Sequence, residues 1–247
     1  MLGRTHMAIG ALGAVLVLPV LLHDSTAHSM VESVGHGHIN QATQLIEGVV
    51  VGALGGIVPD LDQKDGLMTR KVERIGQLAM LGSLIILLIT MHLWSSPIAL
   101  GIAICMFFSF VHHAEWVRKT SLILLAVGSV YFGMRFPDYA EIGICSAIWF
   151  GVTAFSKHRT FTHSLLGFAI AGFTLVQLGK LQHLVWLSDV AILGYGLHMV
   201  ADAVAGGIPL FWPFGKRQGI RMVLTGSKAD HLIGIFSVLL MLFDVVK

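Results

Sequence analysis

Lys157-His158-Arg159-Thr160-Phe161-Thr162-His163-Ser164 is a polar island between two uncharged apolar runs, residues 142–155 and 165–178. A charged loop with an apolar run on each side is the pattern of two membrane helices joined at the bilayer surface. Two imidazoles and a hydroxyl sit where one run ends and the next begins, and polar atoms at such a boundary usually bind something.

Outward from the island, the whole chain has the same character. Its mean hydropathy is +0.80, and only 12% of its 247 residues are charged, against roughly 25% in soluble globular proteins. Several uncharged runs approach or reach the roughly 18–20 residues that span a bilayer. The composition therefore predicts an all-α polytopic membrane bundle forming one domain over residues 1–247. A formal net charge of +2 without a Lys/Arg-rich tract excludes nucleic acid as a partner. Cys105 and Cys145 both lie inside apolar runs and read as small buried hydrophobes, not as a disulfide or a cysteine zinc site. Arg4 precedes the first run as in a signal peptide, but no Ala-x-Ala-like site follows it, so that run is read as a membrane helix.

Nine apolar runs are legible, at 7–22, 45–58, 75–92, 97–113, 121–134, 142–155, 165–178, 190–204 and 232–246. Breaks near 94–97 and 136–141 are the weakest, so eight to nine membrane segments are expected. The run 45–58 is short and rich in Gly48, Gly52, Ala53, Gly55 and Gly56. It is either a helix using glycine for close approach or a partly re-entrant one, and Pro59 stops it. Alternating nine runs across the bilayer places 13 of the 16 Lys and Arg on the side of the N-terminus. The positive-inside rule makes that side cytoplasmic. The same alternation brings His6, Asp60, Asp62, His158, His163, His198 and Asp202 to that one face, which is how a site is built in a helical bundle.

Each motif also has a plainer explanation. Asp60-Leu61-Asp62 follows a helix-ending proline, where aspartate is common. In an extended loop its two carboxylates would point the same way, toward one cation. His158 and His163 are five apart, which is not the spacing of one helix face. The pair fits a ligand in the loop and a second on the next helix's first turn, with Thr162 as that helix's cap. Ligand-free interfacial histidines are the alternative. His163-Ser164 lacks the glycine-flanked setting of a nucleophilic serine. His198 and Asp202 are the sharpest pair, because an i, i+4 spacing puts both on one face of an otherwise apolar helix. An aspartate there costs roughly 2.5–3.5 kcal/mol on insertion scales, so it marks function unless it merely bonds the histidine. His112-His113-Glu115 is a reserve ligand group. The histidines at 23, 28, 36 and 38 lie on the opposite side and read as solvated.

Taken together, four imidazoles and three carboxylates without cysteine suit a divalent cation: zinc first, manganese or iron as alternatives. Seven candidates suffice for two ions, or for one ion with outer residues orienting its histidines. A metal-bound water would serve as nucleophile in a hydrolysis. Asp62 or Asp202 could then act as general base, and Arg159 could steady a phosphate or carboxylate oxygen. An ion or small-solute transporter built on the same His/Asp cluster is the alternative reading, and a scaffold with a structural metal is a third.

Five segments in order resemble the LexA-regulated, membrane-bound metal-dependent hydrolase family of bacterial inner-membrane proteins. They are Thr5-His6; Pro59-Asp60-Leu61-Asp62; His158-Arg159-Thr160-Phe161-Thr162-His163-Ser164; Gly194-Tyr195-Gly196-Leu197-His198-Met199-Val200-Ala201-Asp202; and Gly207-Ile208-Pro209-Leu210-Phe211-Trp212-Pro213. The resemblance covers about the first sixty and last ninety residues, and residues 75–155 match only as membrane segments. It implies a hydrolase using the ligands just named. A distant similarity to zinc-dependent phospholipases C makes a membrane lipid or another phosphoester the expected substrate. Lys157 stands where relatives often carry glycine, a departure that removes no ligand but alters the loop.

Overall fold

The computed structural model describes residues 1–29, 37–62, 114–220 and 222–246, with isolated positions between 74 and 89. Among these residues the chain is all-helical: α1 (Gly3–Ser29), α2 (Gly37–Gly55), α3 (Ala114–Arg135), α4 (Ala140–Phe155), α5 (Leu165–Leu181), α6 (Val185–Ala205) and α7 (Lys228–Val246). Short 3-10 turns cover Val58–Asp62, Pro137–Tyr139 and Phe161–His163. The described residues contain no strand, only an isolated antiparallel bridge between Ile208 and Gln218.

Helices α1, α2 and α6 pack against one another. Helix α7 adds to α1, and α5, α4 and α3 follow in turn from α6. Glycine sets the closeness of the central trio. A Cβ at Gly10 of α1 would lie 2.2 Å from the Gly52 carbonyl oxygen of α2, and one at Gly194 of α6 would lie 2.4 Å from the same oxygen. No side chain fits there, so the three backbones meet directly, as small residues allow in membrane bundles. Of the two possibilities for residues 45–58, the close-packed helix is the one observed. Helix α2 is continuous over 19 residues and starts eight residues before the apolar run. Likewise α1 runs on to Ser29. Hydropathy marks the greasy part of a helix, not its end.

The expected eight or nine full spans are not supported by the described residues. Four helices are long and apolar enough to cross a membrane, at Gly3–Leu22, Thr43–Asp62, Glu115–Arg135 and Val185–Ala205. Helices α4 and α5 have 16 and 17 residues. At about 1.5 Å per residue they fall short of a hydrocarbon core about 30 Å thick. The runs 75–92 and 97–113 lie outside the described residues, apart from isolated positions in the first. The weak break at 136–141 is a true turn, since Pro137–Tyr139 reverses the chain between α3 and α4.

One end of the bundle gathers distant segments. It holds the start of α1, the turn after α2, residues 156–164, and the loop from α6 to α7. Backbone hydrogen bonds from Leu165 to Leu210 (2.9 Å), Ile220 to Ala203 (3.1 Å) and Met222 to Val204 (2.8 Å) tie that last loop to the ends of α5 and α6. The convergence expected from alternating the sides is present among these segments.

Candidate metal site

Two turns and two helices deliver the polar groups. His6 comes from the first turns of α1. Asp60 lies in the turn opened by Val58-Pro59, where its N–H bonds the Ile57 carbonyl at 3.2 Å. His163 ends the turn Phe161–His163. Ser164, not Thr162, caps α5, because its Oγ accepts the Gly167 N–H at 3.1 Å. That oxygen also donates to the Phe161 carbonyl at 2.6 Å, which commits the serine to the cap. His198 and Asp202 project from one face of α6, as their spacing requires.

His163 Nε2 stands 3.0 Å from His198 Nε2 and 3.3 Å from Asp202 Oδ2. Asp60 Oδ1 lies 3.8 Å from His198 Nε2 and 3.9 Å from His163 Nε2. His6 stacks on His198 with ring centroids 3.8 Å apart. All five side chains are buried. Two overlapping triads, His6–Asp60–His198 and His163–His198–Asp202, have ligand atoms within 4.8 Å of one another.

The hydrogen bonds fix the tautomers. His198 Nδ1 lies 2.7 Å from the Gly56 carbonyl oxygen, which only accepts, so that nitrogen carries the proton. The Thr162 hydroxyl donates to Asp62 Oδ2 at 2.8 Å. Its oxygen must therefore accept from His163 Nδ1 at 2.9 Å. Neutral imidazoles in these tautomers would each turn an Nε2 lone pair toward the other across 3.0 Å. Asp202 Oδ2 is buried beside them without an aligned donor. Acceptors converging without a shared donor are a cost that a cation removes. Four-coordinate zinc with bonds of about 2.0–2.1 Å places its ligands about 3.3 Å apart, and 3.0–3.9 Å is observed. The donor set, two imidazoles and two carboxylates, is one that zinc accepts.

Asp62 and His158 belong to an outer layer. Asp62 Oδ1 pairs with His158 Nδ1 at 2.8 Å. Its Oδ2 accepts the Arg159 N–H at 2.9 Å as well as the Thr162 hydroxyl. The expectation of an extended loop with both carboxylates on one cation therefore gives way. A 3-10 turn advances about 120° per residue, so residues two apart diverge. Asp60 and Asp62 flank opposite edges of the His163 ring, each 3.9 Å from a ring nitrogen. Asp62 orients histidines instead of converging with Asp60.

Arg159 faces inward. Its Nη2 bonds Asp202 Oδ1 at 3.2 Å, and its Nε lies 2.9 Å from Oδ2 though out of hydrogen-bond alignment. It adopts the left-handed region, φ 56°, where a non-glycine residue is strained and usually held for a reason. Oδ1 of Asp202 also receives the Met1 amino group at 2.6 Å and lies 3.2 Å from His6 Nε2. The guanidinium expected for a substrate oxygen is thus turned toward the aspartate. Glu115 pairs with Lys119 at 3.2 Å on the surface of α3. His112 and His113 lie outside the described residues, as do the side chains of His23, His28, His36 and His38.

Two contributors escape a reading by residue type. Gly56 acts through its carbonyl. Tyr195 donates to the Thr162 carbonyl at 2.6 Å and so fastens the His163 turn to α6. Its signal is the spacing, since Tyr195, His198 and Asp202 stand at i, i+3 and i+7 on one face.

No curated protein and no solved structure matches this chain. A model of the YdjM inner membrane protein family matches residues 1–246, and the chain belongs to that family.

Proposed function

We propose that this protein is a membrane-bound metal-dependent hydrolase acting on a phosphoester or lipid-type substrate at the cytoplasmic face of the inner membrane. The observation that carries the reading is the two Nε2 atoms 3.0 Å apart, with both Nδ1 atoms already in hydrogen bonds. His163, His198, Asp202 and Asp60 are the ligands of a divalent cation, zinc before manganese or iron. His198 has one free lone pair, and its two triads share it, so the described residues favour a single ion. When bound, that ion supplies Lewis acidity and an acidified water.

The chain's own residues divide the remaining work. Asp62, through Thr162, keeps His163 in the tautomer that leaves Nε2 available. Arg159 holds Asp202 in register and offsets its charge. His6, buried on the His198 ring with neither nitrogen in an aligned hydrogen bond, belongs to the triad with Asp60 and His198 and is a further ligand candidate for the same ion. The excess of Lys and Arg on this end supports its cytoplasmic orientation.

The test is metal analysis of the purified membrane protein beside His163→Ala and Asp202→Ala. About one zinc per chain is expected in the wild type and under a tenth of that in either variant. Unchanged metal content in both variants would remove the site. Metal-dependent solute flux in proteoliposomes, without turnover of any phosphoester, would replace the hydrolase with a transporter.

A further inference from the structure

A second feature of the same end lies outside the metal cluster. The C-terminal half of α4, residues 156–160 and Trp212 enclose a groove of about 750 Å³. Its walls are Ile148, Gly151, Val152 and Phe155, with Lys157 and Thr160 at the mouth. Gly151 opens it, because a Cβ there would meet no atom within 4 Å. Phe155 is 73% exposed on the outer rim. Trp212 stands edge-on to Phe161, ring centroids 5.6 Å apart, which puts the groove against the turn that carries His163.

The walls are almost wholly apolar, so a water-soluble ligand gains little from them. A volume of this size suits a small-molecule site, and a hydrocarbon chain is the ligand such walls favour. Among the described residues that line the groove, Lys157 is the one cation, and it selects what the chain is attached to. Lys157 is exposed and follows the last residue of α4 by two. The side chains of Ser156 and Thr160 are occupied within the loop, donating to the Val152 and Lys157 carbonyls. Among the described lining residues that leaves the ammonium as the charged group without a partner, and it calls for an anion. A tryptophan beside it is the residue type that sits at the headgroup level of a bilayer.

We propose that this groove binds an anionic phospholipid, with one acyl chain along the Gly151 side of α4 and its phosphate at Lys157. Such a lipid lies in the leaflet that meets the metal cluster, and its headgroup enters beside the loop bearing His158 and Arg159. That the lipid is also the substrate rests on the hydrolase reading above; that it binds does not.

The experiment uses the full chain in detergent micelles with phosphatidylglycerol and phosphatidylcholine of identical chains. Binding is read by native mass spectrometry, and zinc content is measured on the same samples. The wild type is expected to hold phosphatidylglycerol about tenfold more tightly, and Lys157→Gln to erase most of that preference. Gly151→Phe, which fills the groove, should weaken both lipids at least tenfold. Zinc content should stay at the wild-type value in both variants. Equal affinity of the wild type for the two lipids, or unchanged binding in both variants, would overturn the proposal. So would inorganic phosphate displacing the lipid at millimolar concentration, because the ligand would then be the anion alone. If the wild type lacks zinc yet discriminates between the lipids, the hydrolase reading fails and the lipid site stands.

Discussion

About half of the residues in the spans of α1, α2 and α6 are buried inside the protein, against 22% in the span of α3. Both regions are apolar helices of the same chain, and both contain glycine. In the central trio, glycine removes the space between backbones, and the polar side chains lie where the helices are closest. Helix α3 makes one such contact, where Gly133 meets Gly143 of α4, but Leu124, Val127, Tyr131 and Met134 are all more than half exposed, and Gly128 faces open space. A site made of buried imidazoles and carboxylates needs neighbours that cannot shift, because a displacement of even half an ångström removes a ligand. Direct backbone contact supplies that rigidity. A helix exposed along most of its length has only to remain apolar.

The sharpest way to break this contrast is to place the same methyl group in each region. Gly10→Ala puts a Cβ 2.2 Å from the Gly52 carbonyl oxygen, which forces two backbones apart and should cost about 3 kcal/mol. Gly128→Ala meets no atom within 4 Å and should be neutral or stabilise by up to about 1 kcal/mol. Unfolding of the two variants in detergent micelles measures the difference. Equal effects would mean that glycine contact does not hold the trio.

Asp60 and Asp62 sharpen the contrast within the site. On the proposed metal reading, Asp60→Asn removes a ligand charge and should reduce zinc affinity more than a hundredfold. Asp62→Asn leaves the ligands in place but weakens the network that orients His163 and His158. Outer partners of this kind typically contribute 10–100-fold in affinity, so the variant should still bind one zinc when the metal is saturating. Titration with a competing chelator distinguishes the two. A loss of stoichiometry in Asp62→Asn would return that carboxylate to the ligand set.

Much of this was legible because chemistry is written in residue type. Aspartate and histidine inside apolar runs are costly wherever they stand, so His198 and Asp202 announced themselves. Their shared face followed from helical spacing. The common end of the bundle was expected from alternating nine runs, a count that the described residues do not support, and the glycines of 45–58 left a close-packed and a re-entrant helix both open. What the sequence did not carry was geometry finer than a turn. Whether Asp60-Leu61-Asp62 is extended or 3-10 decides which carboxylate faces the His163–His198 pair, and nothing in the three residues sets that. Backbone groups such as the Gly56 carbonyl have no signature in residue type. Hydropathy misstates helix length in both directions, because it ends where the greasy part ends, while α1 continues past it and α4 is too short to span.

At the start of α7, Asp230 accepts the Gly226 N–H at 2.8 Å and the Leu2 N–H at 2.9 Å. Burial pushes its carboxyl up, but these hydrogen bonds outweigh it and hold the group below the usual carboxylate range. A pKa lower in the folded state stabilises the protein above the unfolded value of about 4. That contribution is lost as pH falls through the folded value. Asp230→Asn should therefore cost roughly 1–2 kcal/mol at neutral pH, and its stability should vary less between pH 5 and 3 than that of the wild type. Parallel pH curves for the two proteins would show that the carboxylate does not anchor α1.

Tyr195 gives the smallest effect and the finest test. Tyr195→Phe keeps the buried ring, so the packing against Phe168, centroids 5.3 Å apart, is retained. The only loss is the hydroxyl that holds the Thr162 carbonyl. One hydrogen bond of this kind contributes about 1 kcal/mol. If the turn is held chiefly by Tyr195, that loss should appear in metal affinity, as a weakening of about fivefold, because the turn carries His163. If Asp62 and the Ser164 cap hold it as well, the loss should appear in unfolding stability, with zinc affinity unchanged. Measuring both quantities on this one variant separates a tether that positions a ligand from one that merely joins α6 to its neighbour.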